Sequence, residues 1–313
     1  MSNPVLIAAE LRDLLGDDPV PGYPVEWIPA SVPTPTGNYV AIVPLLSRWI
    51  GGEQLKGLPD LRIVANCAVG VDNIDLVAAE MRRLIVTNTP DVLTEATADL
   101  TWALILAVAR RLKEGLQLIA EDGWTGWHPM QLLGLEMRGA TLGIVGAGRI
   151  GQAVGRRAVA FGMRVIYADR VRRPEFEAEV DAIRQDLAGL LGSADVVSIH
   201  VPASTGTRGM FAERRLAQMK EGALLINTSR GEIVRESALI AALERGRLAG
   251  AGLDVYADEP VVPPALVRHP RVVTLPHLGS ATTRARSGMA TLAARNVRAV
   301  LAGEPPLTPV VAG

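Results

Sequence analysis

Thr141-Leu142-Gly143-Ile144-Val145-Gly146-Ala147-Gly148-Arg149-Ile150-Gly151 reads as a strand, a tight turn and the opening of a helix. The apolar run through Val145 predicts a strand over 141–145, and the amphipathic residues that follow predict a helix through Phe161. A second strand over 164–168 then ends at Asp169, about 20 residues beyond Gly148. The pattern Gly146-x-Gly148-x-x-Gly151 is weak alone, but between a strand and a helix, with an acid after the next strand, it marks a dinucleotide-binding βαβ unit. Glycine permits the turn and lets backbone N–H groups approach a pyrophosphate, whose charge the helix N-terminus favours. Gly146, Gly148, Arg149, Ile150 and Gly151 are therefore candidate cofactor contacts. Asp169 would accept hydrogen bonds from a ribose 2′-OH and repel a 2′-phosphate, which favours NAD. Arg170, Arg172 and Arg173 pull toward NADP, which stays possible.

Downstream, strands are predicted at 195–200, 223–227, 250–254 and 271–275, with helices at 210–219, 235–245 and 282–302. Upstream, strands are predicted at Val5–Ala8, Val40–Val43, Leu61–Ala65 and Leu84–Val86, with a helix over Asn73–Arg82. The proline-rich stretch from Pro19 to Pro35 reads as ordered loop. One long buried helix is expected from Thr94 to Ile119, broken by Trp124-Thr125-Gly126-Trp127-His128-Pro129. Strands separated by helical stretches imply an α/β protein with two doubly wound parallel-sheet domains. One is a Rossmann-type cofactor domain over 96–282. The other is a smaller flavodoxin-like substrate domain made of 1–95 and 283–313, to which the last helix returns, leaving a cleft.

The chain has 313 residues, 49% hydrophobic, with a net charge of −1, which suits folded domains and gives no support for a nucleic-acid or membrane partner. Lys56, Lys113 and Lys220 are the lysines among 32 basic residues. The single cysteine, Cys67, excludes an internal disulfide and is expected to be buried and inert. There is no signal-peptide pattern at the amino terminus, and Trp102 to Ala109 is too short to span a bilayer. A cytoplasmic protein without a metal site is expected.

Three polar residues stand just past predicted strands in the second half: Arg230, Glu259 and His277. Ligands of open α/β sheets bind outside the carboxyl ends of the strands. A cation there can grip a carboxylate bidentately, and an imidazole beside a carboxylate can carry a proton near neutrality. Together with the dinucleotide loop, these residues suggest hydride transfer to or from a small carboxylic acid. Each also has a plainer reading: a structural histidine, a turn-capping glutamate, a surface arginine. His128, His200 and His269 are assigned to structural roles, His200 being the nearest rival to His277. Leu45 and Leu46 follow a strand and are either the apolar side of a small substrate pocket or ordinary core.

Asn66-Cys67-Ala68-Val69-Gly70-Val71-Asp72-Asn73-Ile74-Asp75, the glycine loop, Asn227-Thr228-Ser229-Arg230-Gly231, Asp258-Glu259-Pro260 and Pro276-His277-Leu278-Gly279-Ser280 together resemble the D-2-hydroxyacid dehydrogenases, from about Val40 to Glu304. Thr89 to Thr94 and Gly126-Trp127-His128-Pro129 look most like the glyoxylate/hydroxypyruvate reductase branch. The resemblance implies that Arg230 binds the substrate's carboxylate and carbonyl, His277 donates the proton, and Glu259 is its partner. It also implies that the backbone amides of Val69 and Gly70 hold the carboxylate beside Leu45. Asp254 would bond the nicotinamide carboxamide, and Thr97, Val201, Pro202, Thr228, Ser229 and Gly279 would line the cofactor with Asp169 and Arg170. It further implies NAD(P)H-dependent reduction of a small 2-keto acid to the D-2-hydroxy acid by a homodimer, in which Trp124 or Trp127 reaches the neighbour's site. Two alternatives stay open: another dehydrogenase of this fold, acting on phosphite or a different 2-hydroxy acid, and a non-catalytic NADH-responsive binding protein like the related corepressors.

Overall fold

The computed structural model describes residues 2–310. The chain divides into two compact units, Met1–Leu93 with Ala281–Gly313, and Thr94–Ser280. The first carries β1 (Val5–Ala8), α1 (Arg12–Leu15), β2 (Val25–Ile28), β3 (Ala41–Val43), α2 (Gly52–Lys56), β4 (Ile63–Ala65), α3 (Leu76–Met81) and β5 (Ile85–Thr87). The second opens with α4 (Thr94–Ala109), α5 (Leu112–Ala120), β6 (Thr141–Val145), α6 (Arg149–Ala160) and β7 (Arg164–Ala168). It continues through α7 (Pro174–Val180), β8 (Ile183–Arg184), α8 (Leu187–Ser193), β9 (Val196–Ile199) and α9 (Glu213–Gln218). It ends with β10 (Ala223–Asn227), α10 (Glu236–Glu244), β11 (Leu248–Leu253), α11 (Pro264–Arg268) and β12 (Val272–Thr274). The chain then returns to the first unit as α12 (Thr283–Leu301), which packs on β3, β4 and α1.

Among the described residues the first unit's sheet runs β2-β1-β3-β4-β5 and the second's runs β12-β11-β10-β9-β6-β7-β8. Every ladder in both is parallel. Parallel strands are covered on both faces, and β1, β3, β4, β6, β9 and β10 are buried at every position. In the second unit Leu142, Ile144, Leu224 and Ile226 pack with α4 and α6, while Val197, Ile199 and Leu225 pack with the helices of the opposite face. Strand order reverses between β6 and β9, so the loops after these two strands splay apart and leave the crevice where such sheets take ligands.

Two sequence expectations change. The proline-rich stretch is not all loop: Val25–Ile28 forms β2, paired with β1. Pro24 and Pro29 flank it, and as the edge strand it has a side on which no ladder donor is needed. The long helix is also broken. Arg111 adopts φ 54 between α4 and α5, and its guanidinium grips Glu114 at 2.6 and 2.8 Å. Good helix formers on both sides, Leu106 to Arg110 and Leu112 to Glu114, hide that break in the sequence. The short elements α2, α7, β8, α8 and α11 are additions to the sequence reading, being too brief for a periodic signal. No helix among the described residues is long and apolar enough to cross a membrane.

Candidate active site

The glycine loop follows β6, and each glycine meets a different demand. Gly146 has φ 95, and a Cβ there would lie 2.7 Å from Val201 Cγ1 and 2.9 Å from the His200 carbonyl carbon. A Cβ on Gly151 would lie 2.2 Å from the Gly146 oxygen, so this glycine lets α6 approach the turn. A Cβ on Gly148 meets nothing within 4 Å. The open space lies where a pyrophosphate would rest against the start of α6, so the loop fits a dinucleotide. Beside it is a cavity of about 1320 Å³ lined by Gly146, Gly148, Asp169, Arg170, Val201 and Pro202, among others. Asp169 lies past the end of β7, where one oxygen accepts the Val171 N–H at 2.9 Å. His200 also lines this cavity, bonded through Nε2 to Ser198 Oγ at 2.8 Å, and burial lowers its pKa from 6.5 to about 3. It is a neutral ring there, unsuited to hold a proton for transfer.

A second cluster forms at the carboxyl ends of β10, β11 and β12. His277 Nδ1 lies 2.8 Å from Glu259 Oε2, with 27% and 30% of the two side chains exposed. This bond orients the ring and leaves Nε2 as the nitrogen able to exchange a proton with a ligand. Glu259 Oε1 accepts the Tyr256 N–H at 3.1 Å. Burial would raise the Glu259 carboxyl, but the bond to His277, the charges of His277 and Arg230 and the Tyr256 N–H outweigh it and hold it below its ordinary 4.5. His277 itself sits at φ 54, a left-handed conformation that a non-glycine residue keeps only where its surroundings hold it. Asp254 supports it: its carbonyl accepts the His277 N–H at 2.9 Å, and its two carboxylate oxygens accept the Leu278 and Gly279 N–H groups at 2.7 and 2.8 Å. Burial still holds the Asp254 carboxyl above its usual range.

Arg230 reaches the same cluster through the turn after β10. Asn227 closes that turn, its Nδ2 donating to the Arg230 carbonyl at 2.9 Å and its Oδ1 accepting from Ser229 N and Oγ at 3.1 and 2.8 Å. Gly231 lies flat against Tyr256, where a Cβ would come within 1.9 Å of the Tyr256 carbonyl carbon. That contact brings the Arg230 turn up to the Glu259 loop. Thr97 Oγ1 donates to the Gly279 carbonyl at 3.0 Å, and the Thr101 and Thr228 hydroxyls lie 2.9 Å apart, so α4 braces both loops.

In the first unit, Leu45 follows β3, and Val69 and Gly70 follow the neighbouring β4. Asn66 and Asn73 exchange amide bonds at 3.0 and 3.1 Å, and Asn73 Nδ2 also donates to the carbonyls of Leu45 and Arg48. Asn66 holds the Gly70 carbonyl and Asn88 the Val69 carbonyl, both at 2.8 Å. Cys67 is buried, and burial raises its thiol to about 12, so it is inert.

The structure thus brings Arg230, Glu259, His277, Asp254, Gly279, Thr97, Thr228 and Ser229 into one cluster, and Gly146, Gly148, Asp169, Arg170, Val201 and Pro202 around one cavity. Arg149 and Ile150 begin α6 beside that cavity without lining it, and Gly151 serves the helix–turn contact. Asn66, Asn73, Asn227, Thr101 and Tyr256 are supports that the sequence reading does not single out. All but Thr101 fall within or directly between the motifs, and that proximity is the available signal.

Residues 102–279 match the family described as D-isomer specific 2-hydroxyacid dehydrogenase, NAD binding domain. The chain belongs to the D-isomer-specific 2-hydroxyacid dehydrogenases. This dehydrogenase is 49% identical over 270 residues, covering 85% of this chain and 82% of the relative, to a glyoxylate reductase of Thermococcus litoralis. Among solved structures, the TT0316 protein of Thermus thermophilus superposes with a TM-score of 0.89 at 43% identity, covering 98% of this chain and 100% of that one. An NADPH-dependent glyoxylate/hydroxypyruvate reductase of Sinorhizobium meliloti, solved with NADP and malonate, gives 0.89 at 34% identity over 99% and 97% of the two chains. Membership makes the dehydrogenase an oxidoreductase with a nicotinamide cofactor.

Proposed function

We propose that this dehydrogenase reduces a small 2-keto acid of the glyoxylate or hydroxypyruvate type to the D-2-hydroxy acid, with NADH preferred to NADPH. The observation that carries the reading is the 2.8 Å bond between His277 Nδ1 and Glu259 Oε2, past the end of a strand and beside the Arg230 turn. Relatives named for glyoxylate reduction, at 49% identity, support it. The bound nicotinamide supplies the hydride. Arg230 holds the substrate's carboxylate and carbonyl oxygen, fixing the carbonyl carbon for attack. His277 donates its Nε2 proton to the carbonyl oxygen as that oxygen gains charge, and in the reverse direction takes it back. Glu259 keeps the ring oriented and offsets the imidazolium charge. Leu45, Val69 and Gly70, which follow β3 and β4 of the first unit, are candidates for substrate contact by the family resemblance. Thr97, Thr228, Ser229 and Gly279 would border the nicotinamide end of a bound cofactor, and Asp254, itself buried, would act there through the Leu278 and Gly279 N–H groups that it holds. Asp169 favours the unphosphorylated ribose.

We further propose a homodimer. α5 buries none of its residues, and Leu112, Leu116 and Ile119 leave an exposed apolar face followed by exposed Trp124 and Trp127. A patch of this kind marks an interface. Turnover of 2-keto acids of increasing side-chain length, followed by loss of reduced nicotinamide absorbance, tests the function. Rates should fall from glyoxylate and hydroxypyruvate toward branched and aromatic acids, and the reverse order would refute a small pocket.

A further inference from the structure

The loop after β3 is turned inside out. Leu46, Ser47 and Trp49 are exposed, while Arg48, between Ser47 and Trp49, keeps only 6% of its surface in contact with solvent. A buried arginine is unusual, since a cation leaves water only where hydrogen bonds replace it. Here one short stretch supplies them. Arg48 Nη1 donates to the Val32 carbonyl at 2.8 Å and to Thr34 Oγ1 at 3.2 Å, and Nη2 donates to the Pro29 carbonyl at 2.6 Å. Burial lowers the guanidinium's pKa, and the charge of Glu10 opposes that shift.

The stretch that Arg48 grips is itself stiff, because Pro29, Pro33 and Pro35 fix φ at three of its positions. Glu10, just past β1, holds it as well: its Oε1 accepts the Ala30 N–H at 2.7 Å. The loop after β3 is pinned a second time, to the segment after β4. The Cys67 N–H donates to the Pro44 carbonyl at 3.0 Å, and the Ile50 N–H to the Asn73 carbonyl at 2.9 Å. Asn73 Nδ2 donates to the Leu45 and Arg48 carbonyls at 3.2 and 3.1 Å. These attachments follow the carboxyl ends of β1, β2, β3 and β4, the end of a parallel sheet at which ligands bind. Within the pinned loop stand Leu45, half-buried, and Leu46, exposed.

We propose that Arg48 is a positioning residue for substrate selection: its grip on the 29–34 stretch holds Leu45 and Leu46 in one place, and that fixed apolar wall turns away 2-keto acids with long or branched side chains. A wall that yields cannot exclude a larger group, whereas a fixed one separates ligands by about 10- to 200-fold for each misfitting methylene. This rests on the small 2-keto acid as substrate and adds the residue that keeps the pocket small.

The test compares glyoxylate with the branched 2-ketoisovalerate, at saturating NADH, in the wild type, Arg48→Met, Arg48→Lys and Glu10→Ala. The readout is the ratio of the two kcat/KM values, because damage to the fold lowers both acids alike. Arg48→Met keeps the reach of the side chain and none of its donors. It should lower the preference for glyoxylate by about ten-fold or more, with a raised KM for glyoxylate and a kcat near the wild-type value. Arg48→Lys keeps the charge and some of the bonds, and should recover part of the preference. Glu10→Ala loosens the same stretch from an exposed position and should shift the ratio in the same direction by less, so the test stands even where Arg48→Met fails to fold. An equal fall for both acids in Arg48→Met, or with that variant unfolded an unchanged ratio in Glu10→Ala, overturns the role of Arg48 alone. A wild type that turns over 2-ketoisovalerate as fast as glyoxylate overturns the small pocket and the role of Arg48 with it.

Discussion

At the scale of single residues the chemistry depends on where one proton sits. His277 must hold a proton to donate it in reduction and must lack it in oxidation, so raising the pH should disfavour reduction and favour oxidation. Glu259 stands beside the ring as an anion: its carboxyl lies below its ordinary 4.5, so it stays ionised as acid is added through that range. Glu259→Gln removes that charge while keeping a hydrogen-bonding partner. Turnover in reduction should fall by about ten-fold or more, and an unchanged kcat would show that Glu259 does not act on the imidazole. His277→Ala should cost about 10²- to 10⁴-fold in turnover with the thermal unfolding transition retained. Arg230→Ala should lose a similar share of kcat/KM, expressed more strongly in KM because the residue holds the ground-state carboxylate as well. His200 titrates in the opposite sense to a donor. Its folded pKa is lowered from 6.5 to about 3, so below about pH 6.5 the unfolded chain takes up a proton that the folded chain refuses. Stability should therefore decline as pH falls through that window, by up to about 1.4 kcal/mol per pH unit from this one group. His200→Gln should flatten that slope in urea titrations run from about pH 7 to pH 4.

At the scale of elements, the strand-end loops are the legible part of the site and their supports are not. Arg230, Glu259 and His277 carry charge just past apolar runs, a contrast visible in any reading of the chain. What holds them is written in ordinary residues. Gly231 could be read as a turn glycine, but its value is the absence of a Cβ 1.9 Å from the Tyr256 carbonyl carbon, a contact between distant parts of the chain that no local pattern carries. Gly231→Ala must push the Arg230 turn away from the Glu259 loop. It should lower kcat/KM by about 10²-fold, since a misplacement of about 1 Å is costly in a positioned site, and destabilise the fold as overpacking does. Equal activity in the alanine variant would show that the two loops need not meet. The same limit explains the fold-level misses. β2 hides among prolines because its edge position, which excuses them, is a property of the sheet. The break at Arg111 is hidden because arginine is a good helix former, and its left-handed φ is stabilised by a side-chain grip on Glu114 that sequence spacing alone does not announce. Among the strands that sequence reads correctly, β1, β3, β4, β6, β9 and β10 are buried at every position, where a continuous apolar run leaves little choice.

At the scale of the whole molecule, the feature left over by the two folded units is the face of α5. Leu112, Leu116 and Ile119 recur at helical spacing and are 50%, 73% and 60% exposed, on a helix of which no residue is buried. A helix in water gains nothing by gathering leucine and isoleucine on one side, so the segregation points to a surface that covers it. The exposed residues Trp124, Trp127, Met130 and Leu133 continue the patch in the loop that follows, and aromatic side chains and methionine are the types enriched at the centres of interfaces. The charge balance of −1 sets no strong barrier to self-association. A second copy of the chain is therefore the proposed cover, and sedimentation velocity at micromolar concentration should show a dimer. Leu116→Glu with Ile119→Glu places two carboxylates at the centre of the patch and removes no contact within α5's own unit core. The double variant should sediment as a monomer with its secondary structure intact. If the wild type is already a monomer across the accessible concentration range, the apolar face belongs to another partner and the homodimer is wrong.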